Sequence, residues 1–357
     1  MEKEILIIED SSKSYLGGGQ TVSLLLIEVL REEGFEVILA DHFTSSSRSP
    51  FEGKGIRLIK LKTAGKILAS NKGAFSVSLF EALGLPYYSF LNILLLRSAM
   101  RRNINTVLCT TKKALLLGLL YKLLLSKRSK VYFYAHTSSP EVSINKLFWK
   151  LLSFFEFKTL AVSNYCAQSM NGINSNIIYN CVKSYSTSVT FQPQIDGKTR
   201  LGFVGNVTRW KGIEFFCELS TKPNMKNYEF HVIGTGDLFE RLSERYNKQV
   251  VFHGRLPTNR IYDKIDILVL PSIGAESCPM VLIEALANGK PFLTTAHGGQ
   301  AELAHLVGLP TFEKSCFESF NEALEALNRM RRDQKRITFP KKFTVENYKS
   351  QIKGVFS

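Results

Sequence analysis

The chain has 357 residues, of which 45% are apolar and 22% charged, and its formal net charge is +15. This composition excludes wholesale disorder and a disulfide-stapled miniprotein, and the length predicts two domains. The six cysteines lie far apart without a CxxC pair, so we expect reduced thiols rather than a zinc site or a disulfide framework.

Short β-rich segments alternate with helical patterns through the first half of the chain. The order is EILIIED, a helix near residues 20–33, FEVILA, IRLIKL, TVLCT, a helix near residues 114–125, VYFYAHT and TLAVS. Alternation of this kind predicts a parallel sheet that is covered by helices on both faces.

The same architecture repeats after residues 185–198, which are polar, non-periodic and typical of a linker. The second series is LGFVGN, a helix near residues 211–219, YEFHVIG, a helix near 238–246, VVFHG, ILVLPS, a helix near 280–287 and PFLTT, with long helices at 317–332 and 343–356. Such an alternation again predicts a parallel sheet with helices on both faces.

The fold class expected is therefore α/β, with two doubly wound, Rossmann-like domains facing across a cleft. The first domain spans residues 1–184, the second spans residues 199–342, and the helix at 343–357 joins the first. Ligands of such sheets bind beyond the carboxyl ends of the strands. We therefore expect the functional residues in loops that follow strands.

The positive charge is concentrated in residues 53–160, where 18 Lys and Arg stand against three Glu; the remaining residues carry 28 basic and 28 acidic side chains. Apolar runs interrupt these bases, as in NKLFWKLLSFFEFK. Basic amphipathic segments favour anionic surfaces, at about 1 kcal/mol per Lys or Arg near an anionic leaflet. We expect phospholipid head groups or lipid-linked phosphates as partners. The alternative for residues 114–125 is an ordinary core helix with solvated lysines.

The longest nearly uninterrupted apolar run, residues 114–125, is shorter than the roughly 20 residues that span a bilayer. The first residues, MEKEILIIED, lack the pattern of a signal peptide. We therefore expect a cytoplasmic protein that is peripheral on the inner face of the plasma membrane. Positive charge also attracts nucleic acid, but the sequence has no recognisable reader motif, and no nucleic-acid partner is expected.

Three glycines, Gly17, Gly18 and Gly19, follow the first strand and open a helix. Glycines allow backbone N–H groups to approach an anion, and a helix N-terminus supplies about half a positive charge. The pattern indicates phosphate binding at this loop. A tight turn without a ligand is the alternative.

The loop GFVGNVTRWKG, residues 202–212, places Arg209 and Lys211 at the start of a helix. Cations complement the C-terminal end of a helix, so two of them at the N-terminal end need another reason. A diphosphate supplies one, because the two cations would neutralise its charge as it grows on bond cleavage. The alternative is a solvated first helical turn.

Two carboxylates lie eight residues apart in PSIGAESCPMVLIEALANGKP. Glu284 lies inside an apolar helical run, where an unpaired carboxylate is costly, so we expect it to face a polar ligand or partner. Glu276 precedes this helix and can accept hydrogen bonds from vicinal hydroxyls. Pro279 suits the first helical turn and leaves the amides of Met280 and Val281 free for phosphate oxygens. The pattern favours a sugar and a ribose beside a diphosphate; an incidental pair is the alternative.

In this order, the motifs resemble those of the retaining, nucleotide-sugar-dependent glycosyltransferases with the GT-B fold. The family is that of bacterial polysaccharide and lipid glycosyltransferases known as glycosyl transferases group 1. The resemblance extends over nearly the whole chain, through GGGQTVSLLLIEVL, YAHTSSP, AVSNYCAQSM, IIYNCV, GFVGNVTRWKG, FHVIGTGD, VVFHGRL, DILVLPS, ESCPMVLIEALANGKP and HGGQAE. The C-terminal half carries the specific motifs, whereas the N-terminal half matches mainly in layout.

The resemblance implies that Glu284 binds the ribose hydroxyls and that Glu276 binds the hydroxyls of the transferred sugar. The family clamps the diphosphate with an Arg directly after the strand glycine and a Lys before the next glycine. Lys211 matches the Lys, but Asn206 occupies the Arg position. We expect Arg209 to reach the same phosphates instead.

The resemblance also implies that the amides of Gly18 and Gly19 face the diphosphate and that His136 hydrogen-bonds the donor sugar. The alternative for His136 is a purely structural histidine. Further positions match the donor pocket, the last two of them at the edge that binds the base: Gly234, Gly236, Arg255 and Leu256.

The implied reaction transfers a sugar from a nucleoside-diphosphate sugar to a hydroxyl of a glycan or lipid-linked acceptor, with retention of configuration. The departing phosphate accepts the acceptor's proton, and neither a cofactor nor a metal is expected. The implied process is assembly of lipopolysaccharide, capsule or O-antigen. Two alternatives stay open: a sugar-nucleotide epimerase of the same fold, and a catalytically silent sugar-nucleotide-binding partner subunit, which Asn206 favours.

Overall fold

The computed structural model describes residues 3–10, 18–42, 51–62, 79–100, 104–139, 143–186, 188–190 and 197–356. The chain forms two compact units. The first consists of Met1–Ile178 and Lys349–Ser357, and the second of Tyr179–Tyr348.

The first unit is built on a seven-stranded parallel sheet. Its strands are β1 (Lys3–Glu9), β2 (Phe35–His42), β3 (Arg57–Leu61), β4 (Thr106–Cys109), β5 (Lys130–Ala135), β6 (Lys158–Ala161) and β7 (Ser175–Ile177). The spatial order is β3-β2-β1-β4-β5-β6-β7. Its helices are α1 (Gly18–Glu32), α2 (Leu79–Ala99), α3 (Lys112–Leu124), α4 (Ser143–Leu152) and α5 (Asn164–Gln168).

Burial along β1 explains why this segment forms a central strand. Four successive apolar residues, Ile5 to Ile8, are fully buried. Successive side chains of a strand point to opposite faces, so a continuous buried run requires cover on both faces of the sheet. The helices supply that cover: an added Cβ on Gly118 of α3 would lie 2.5 Å from the Cys109 sulfur of β4.

The second unit is built on a six-stranded parallel sheet with the order β11-β10-β9-β12-β13-β14. These strands are β9 (Thr199–Val204), β10 (Tyr228–Ile233), β11 (Val250–Gly254), β12 (Ile267–Leu270), β13 (Phe292–Thr295) and β14 (Thr311–Phe312). The helices are α6 (Ile213–Leu219), α7 (Phe239–Tyr246), α8 (Thr258–Ile261), α9 (Met280–Ala287), α10 (Gly298–Val307) and α11 (Phe317–Arg332). The last helix, α12 (Val345–Phe356), begins in the second unit and ends in the first. Two doubly wound parallel sheets confirm the predicted α/β class.

Part of the predicted linker is a strand. β8 (Ser188–Thr190) pairs antiparallel with β15 (Arg336–Thr338), with Val189 opposite Ile337. Three residues are too few to show a period in the sequence, and their partner lies far along the chain.

Among the described residues, no helix has the length and apolar character that crossing a membrane requires.

Candidate functional site

The second sheet reverses its winding between β9 and β12. From β9 the chain adds β10 and β11 on one side, and it then returns to add β12, β13 and β14 on the other. Ligands of open α/β sheets bind beyond the carboxyl ends of the strands at such a switch point. Lys211 lies in the loop that follows β9, and Glu276 lies in the loop that follows β12.

Close backbone contacts hold these two loops together. Gly212 has φ +71°, and a Cβ there would lie 1.8 Å from the carbonyl oxygen of Pro271. The Ile273 amide donates to the Trp210 carbonyl at 3.0 Å, and the Trp210 ring fills the space that a side chain on Gly274 would need. The loops after β9 and β12 therefore form one packed body.

Lys211 and Glu276 form an ion pair across the switch point. Lys211 Nζ lies 2.6 Å from Glu276 Oε2, and the two side chains are only 23% and 12% exposed. The other carboxylate oxygen, Oε1, accepts a hydrogen bond from Ser272 Oγ. A carboxylate offers about four acceptor positions, so Glu276 can accept further hydrogen bonds from hydroxyl groups.

Gln300 fixes the backbone of this loop. Its side-chain oxygen accepts from the Glu276 amide at 2.7 Å, and its Nε2 donates to the Gly274 carbonyl at 3.2 Å and to Thr295 Oγ1 at 3.3 Å. Gln300 is fully buried in the first turn of α10. Sequence reasoning missed both Ser272 and Gln300 as site residues, although each belongs to a segment that carried the family resemblance.

Glu284 lies on α9 and finds a polar partner in Tyr262. The Tyr262 hydroxyl lies 3.0 Å from Glu284 Oε2 and 3.3 Å from the Val281 carbonyl oxygen. Burial raises the pKa of Glu284 above its usual value, and the hydrogen bond from Tyr262 opposes that shift. Burial, followed by the neighbouring Glu284 carboxylate, raises the pKa of Tyr262, which therefore stays protonated and donates.

The start of α9 presents free backbone donors. Pro279 occupies the N-cap position, without a side-chain cap, and Met280 and Val281 follow. Neither of these two amides has a hydrogen-bond partner among the residues that the structure describes. The N-terminus of a helix with free N–H groups favours an anion.

Arg209 and Asn206 lie at the exposed edge of the loop after β9. The Arg209 side chain is 86% exposed, and its Nε lies 3.9 Å from Glu214 Oε2. Asn206 is also exposed. Lys211 is thus the cation that the fold holds in place here, and the predicted contact of Arg209 with the phosphates stays a prediction.

The remaining predicted donor residues lie on the loops after β10 and β11. A Cβ on Gly234 would lie 1.9 Å from the Gly205 carbonyl oxygen, and one on Gly236 would lie 2.4 Å from that of Val207. Both glycines therefore let the loops after β9 and β10 pack closely. Arg255 is exposed, with its Nε donating to Thr235 Oγ1 at 3.1 Å, and Leu256 is half-buried beside it.

His136 follows β5 in the first unit, and its ring lies 4.3 Å from that of Tyr134, centroid to centroid. Both ring nitrogens are buried without a hydrogen-bond partner in the described part of the chain. Burial lowers the pKa of His136 to about 4, so the imidazole is neutral near pH 7. A neutral imidazole has one donor and one acceptor, and both are unused here.

The glycine loop of the first unit is described only in part. Gly18 and Gly19 begin α1, whereas Gly17 lies outside the described residues. Among the described residues, no atom lies within 4 Å of the position that a Cβ on Gly19 would take. The predicted contacts of these amides with a diphosphate stay predictions.

Glu9 is a buried carboxyl group that sequence reasoning did not single out. It ends β1, beside the point where the first sheet switches between β1 and β4. Ser23 Oγ donates to its Oε2 at 2.6 Å, and Thr110 Oγ1 donates to its Oε1 at 2.8 Å. Burial raises the pKa of Glu9 to about 7, despite these hydrogen bonds.

Residues 198–329 match the family model described as Glycosyl transferases group 1. The matched residues lie in the second unit. The match includes the loops after β9 and β12, the start of α9 and Gln300. The family resemblance predicted from the motifs is thereby confirmed over residues 198–329.

Two curated proteins illustrate the similarity in sequence. An uncharacterized 42.6 kDa protein in the cps region of Klebsiella pneumoniae is 25% identical over 338 residues, which cover 85% of this chain and 88% of that protein. The amylovoran biosynthesis glycosyltransferase AmsK of Erwinia amylovora is 32% identical over 119 residues, or 29% of each chain.

Solved structures share the fold over almost the full length. HepE from Anabaena, in complex with UDP and glucose, matches with a TM-score of 0.71 at 15% identity over 98% of both chains. The lipopolysaccharide outer core galactosyltransferase WaaB, in its apo form, matches with a TM-score of 0.70 at 16% identity over 98% of this chain and 94% of that one. These matches confirm the predicted GT-B class.

Proposed function

We propose that the protein is a retaining glycosyltransferase that moves a sugar from a nucleoside-diphosphate sugar to a hydroxyl of a glycan or lipid-linked acceptor. The observation that carries this proposal is the ion pair between Lys211 and Glu276 at the switch point of the second sheet. It places a cation for a diphosphate within 2.6 Å of a carboxylate that can accept hydrogen bonds from sugar hydroxyls.

The geometry of α9 supports binding of the nucleotide. Met280 and Val281 present free amides at its N-terminus for phosphate oxygens. Glu284 lies one helical turn after Met280 and therefore on the same face of the helix. A carboxylate there accepts hydrogen bonds from the two vicinal hydroxyls of a ribose.

Lys211 acts on the leaving group in the proposed reaction. The bond from the anomeric carbon to the diphosphate breaks, a bond from that carbon to the acceptor oxygen forms on the same face, and the acceptor proton passes to the departing phosphate. Charge grows on the diphosphate as the first bond breaks, and a positioned cation stabilises it. Glu276 holds the sugar hydroxyls, Ser272 and Gln300 position Glu276, and the reaction needs neither a separate catalytic base nor a metal.

The other assignments are part of the same proposal. Arg209 is exposed and free to turn toward the diphosphate, where it would replace the arginine that is absent at Asn206. The neutral His136 has a free donor and a free acceptor, which suits a sugar hydroxyl. Gly18 and Gly19 would contribute amides to the diphosphate.

Assembly of a bacterial surface polysaccharide is the process we propose. The names of the similar proteins support it: one lies in a cps region, one serves amylovoran biosynthesis and one acts on the lipopolysaccharide outer core. HepE binds UDP and UDP-glucose, so UDP-sugars are the donors to test first.

The test measures transfer by the full-length protein. A thermal-shift screen with UDP-, GDP- and ADP-sugars selects the donor, and the transfer of labelled sugar to a lipid-linked or glycan acceptor is then followed. Replacing Lys211→Ala or Glu276→Gln should lower kcat by about 10²- to 10³-fold, as loss of one positioned charge does. Lys226→Ala is the control, because Lys226 is exposed elsewhere on the second unit.

Each other outcome rejects the proposal in a distinct way. Unchanged turnover in both variants would remove the switch-point pair from the reaction. Label that stays on the nucleotide as an epimer would identify an epimerase. Donor binding without transfer until a partner protein is added would identify a silent subunit. Inversion at the anomeric carbon, read by NMR of the product, would contradict the retaining mechanism.

A further inference from the structure

Helices α3 and α4 of the first unit present large apolar side chains to solvent. We define the α3–α4 face by the exposed residues Leu123, Leu124, Leu147, Leu151, Phe154 and Phe155. Phe154 is 81% exposed. Single exposed apolar residues are normal on a protein surface, but a group of this size marks an interaction site.

α4 is apolar on two opposite faces. One face, with Trp149 and Leu152 beside the polar Asn145, is buried in the first unit. Leu147 and Leu151 lie one turn apart on the opposite face and are exposed, as are Phe154 and Phe155 just beyond the helix. A helix that covers only its own core needs no second apolar stripe. The outer stripe therefore requires a partner.

Hydrogen bonds join the two helices into one surface. Lys112, at the start of α3, donates from Nζ to Asn145 Oδ1 at 2.9 Å. Lys122, near the end of α3, donates from Nζ to the Glu156 carbonyl at 3.3 Å. The corresponding ends of the two segments are thus neighbours: Leu123 and Leu124 directly follow Lys122 in the chain, and Phe154 and Phe155 directly precede Glu156.

Exposed basic residues are interspersed with this apolar group along the chain. From residue 123 to residue 158 the sequence has six Lys and Arg against two Glu. All six basic residues are exposed: Lys127, Arg128, Lys130, Lys146, Lys150 and Lys158. We call these six residues the basic rim; together with the exposed apolar side chains they are complementary to an apolar layer bounded by anions.

We propose that the α3–α4 face docks on a bilayer with anionic lipids. Phe154, Phe155 and the leucines enter the boundary between head groups and acyl chains, and the lysines contact lipid phosphates. Helices of this kind lie in the interface with the apolar face about 5–10 Å deep. Charge decides against a second copy as occupant, because a symmetric contact would bring the two basic rims together. This inference stands independently of the proposed transferase activity.

Vesicle flotation of the full-length protein tests the proposal. Vesicles of phosphatidylglycerol and phosphatidylcholine should carry the protein, and vesicles of phosphatidylcholine alone should not. The variant Lys146→Glu/Lys150→Glu should lower the partition coefficient by about 30-fold or more, since each basic residue contributes about 1 kcal/mol. Lys226→Glu/Lys248→Glu is the control with equal charge change on the second unit, where both lysines are exposed.

Tryptophan fluorescence tests whether the exposed apolar side chains enter the bilayer, and this test does not rely on loss of binding. Phe154→Trp should shift its emission to shorter wavelength with anionic vesicles and be quenched by brominated lipids. Val251→Trp is the control, because Val251 is exposed on the second unit. Equal signals from both probes, or flotation that the Lys146→Glu/Lys150→Glu variant retains, would overturn the proposal. It would also fail if Phe154→Ser changed the oligomeric state in light scattering, or if DNA at physiological salt displaced the vesicles.

Discussion

Glu284 shows how one hydroxyl group keeps a carboxylate usable inside an apolar helix. Its neighbours Leu282, Ile283, Ala285 and Leu286 are fully buried, so α9 offers the carboxylate little water. Burial favours the protonated form, and the Tyr262 hydroxyl favours the ionised form. If Glu284 accepts from the ribose hydroxyls as proposed, nucleotide binding depends on Tyr262 as well as on Glu284.

As the pH falls, donor binding should begin to weaken at a higher pH than it would if Glu284 had the pKa of an ordinary glutamate. The pKa of Glu284 is raised, so the carboxylate is present above this pKa and is lost as the pH falls through it. Tyr262→Phe removes a hydrogen bond that favours the carboxylate and should raise the pKa of Glu284 further. As the pH is lowered, KM for the donor should therefore begin to rise at a higher pH in this variant than in the wild type. At the acid end of the range, KM of the variant should exceed the wild-type value by about tenfold, which is the size expected for a lost hydrogen bond to a charged group.

The measurement is KM for the donor from about pH 5 to pH 8, with kcat recorded separately. Glu284→Gln is the control, because it lacks the titrating group and should show a weak, flat dependence on pH. Identical pH profiles for the wild type and Tyr262→Phe would remove Tyr262 from the role assigned to it.

Residue chemistry alone identifies only part of this site. Lys211 and Glu284 are conspicuous because a cation at a helix start and a carboxylate in an apolar run are costly without a reason, whereas Glu276 is suggested by its spacing from Glu284 and by the family resemblance. Tyr262 carries no such signal: it lies 22 residues before Glu284, and only the fold brings the two together. Glu9 is hidden in the same way, because its partners Ser23 and Thr110 come from a helix and from another strand's end.

At the scale of elements, the sequence predicts several of the helices and the central strands of both sheets. The helices at 280–287 and 317–332 have the bounds expected, and the central strands are continuous apolar runs. α10 is not predicted, because it begins with two glycines, which are poor helix formers. The structure explains why one of these positions requires glycine. A Cβ on Gly299 would lie 1.8 Å from the Ser277 carbonyl oxygen, and the Gly299 amide donates to the Glu276 carbonyl at 2.6 Å.

Gly212 should be far less replaceable than another glycine with the same backbone conformation. Gly212→Ala combines the left-handed φ with a Cβ 1.8 Å from the Pro271 carbonyl oxygen, so the loop after β9 must move away from the loop after β12. We expect a loss of about 2–5 kcal/mol in the free energy of unfolding, from backbone strain and overpacking together. Urea denaturation of the full-length protein measures this loss.

Gly308→Ala is the matched control for that experiment. Gly308 ends α10 with φ +68°, and the position of a Cβ there is free of described atoms within 4 Å. Only the backbone strain applies, so the expected loss is about 1–2 kcal/mol. Equal losses in the two variants would mean that the contact with Pro271 does not hold the loops together.

The whole molecule separates two kinds of chemistry between its two units. The excess positive charge and the α3–α4 face belong to the first unit, whereas the Lys211–Glu276 pair and the start of α9 belong to the second. The composition of the sequence predicted the excess of positive charge in the first unit, and the motifs predicted which loops of the second unit carry the candidate site. Which apolar side chains stay exposed could not be predicted, because both the inner and the outer stripe of α4 contain leucine and only packing distinguishes them.

Two ligands should therefore protect different parts of the same chain. In hydrogen exchange on the full-length protein, the donor nucleotide should protect residues 205–212 and 271–284, and vesicles with anionic lipids should protect residues 123–128 and 143–158. A ligand that binds only the folded protein stabilises it by RT ln(1 + [L]/Kd), or about 2.7 kcal/mol at a hundredfold excess over Kd. At that excess, the nucleotide should slow hydrogen exchange in the second-unit segments by up to about 100-fold wherever local opening of the backbone requires the nucleotide to dissociate.

Lys211→Ala should abolish only the protection by nucleotide, and Lys146→Glu/Lys150→Glu only the protection by vesicles. Loss of both patterns in either variant would show that the two units do not act separately, and nucleotide protection confined to the first unit would refute the site at the switch point between β9 and β12.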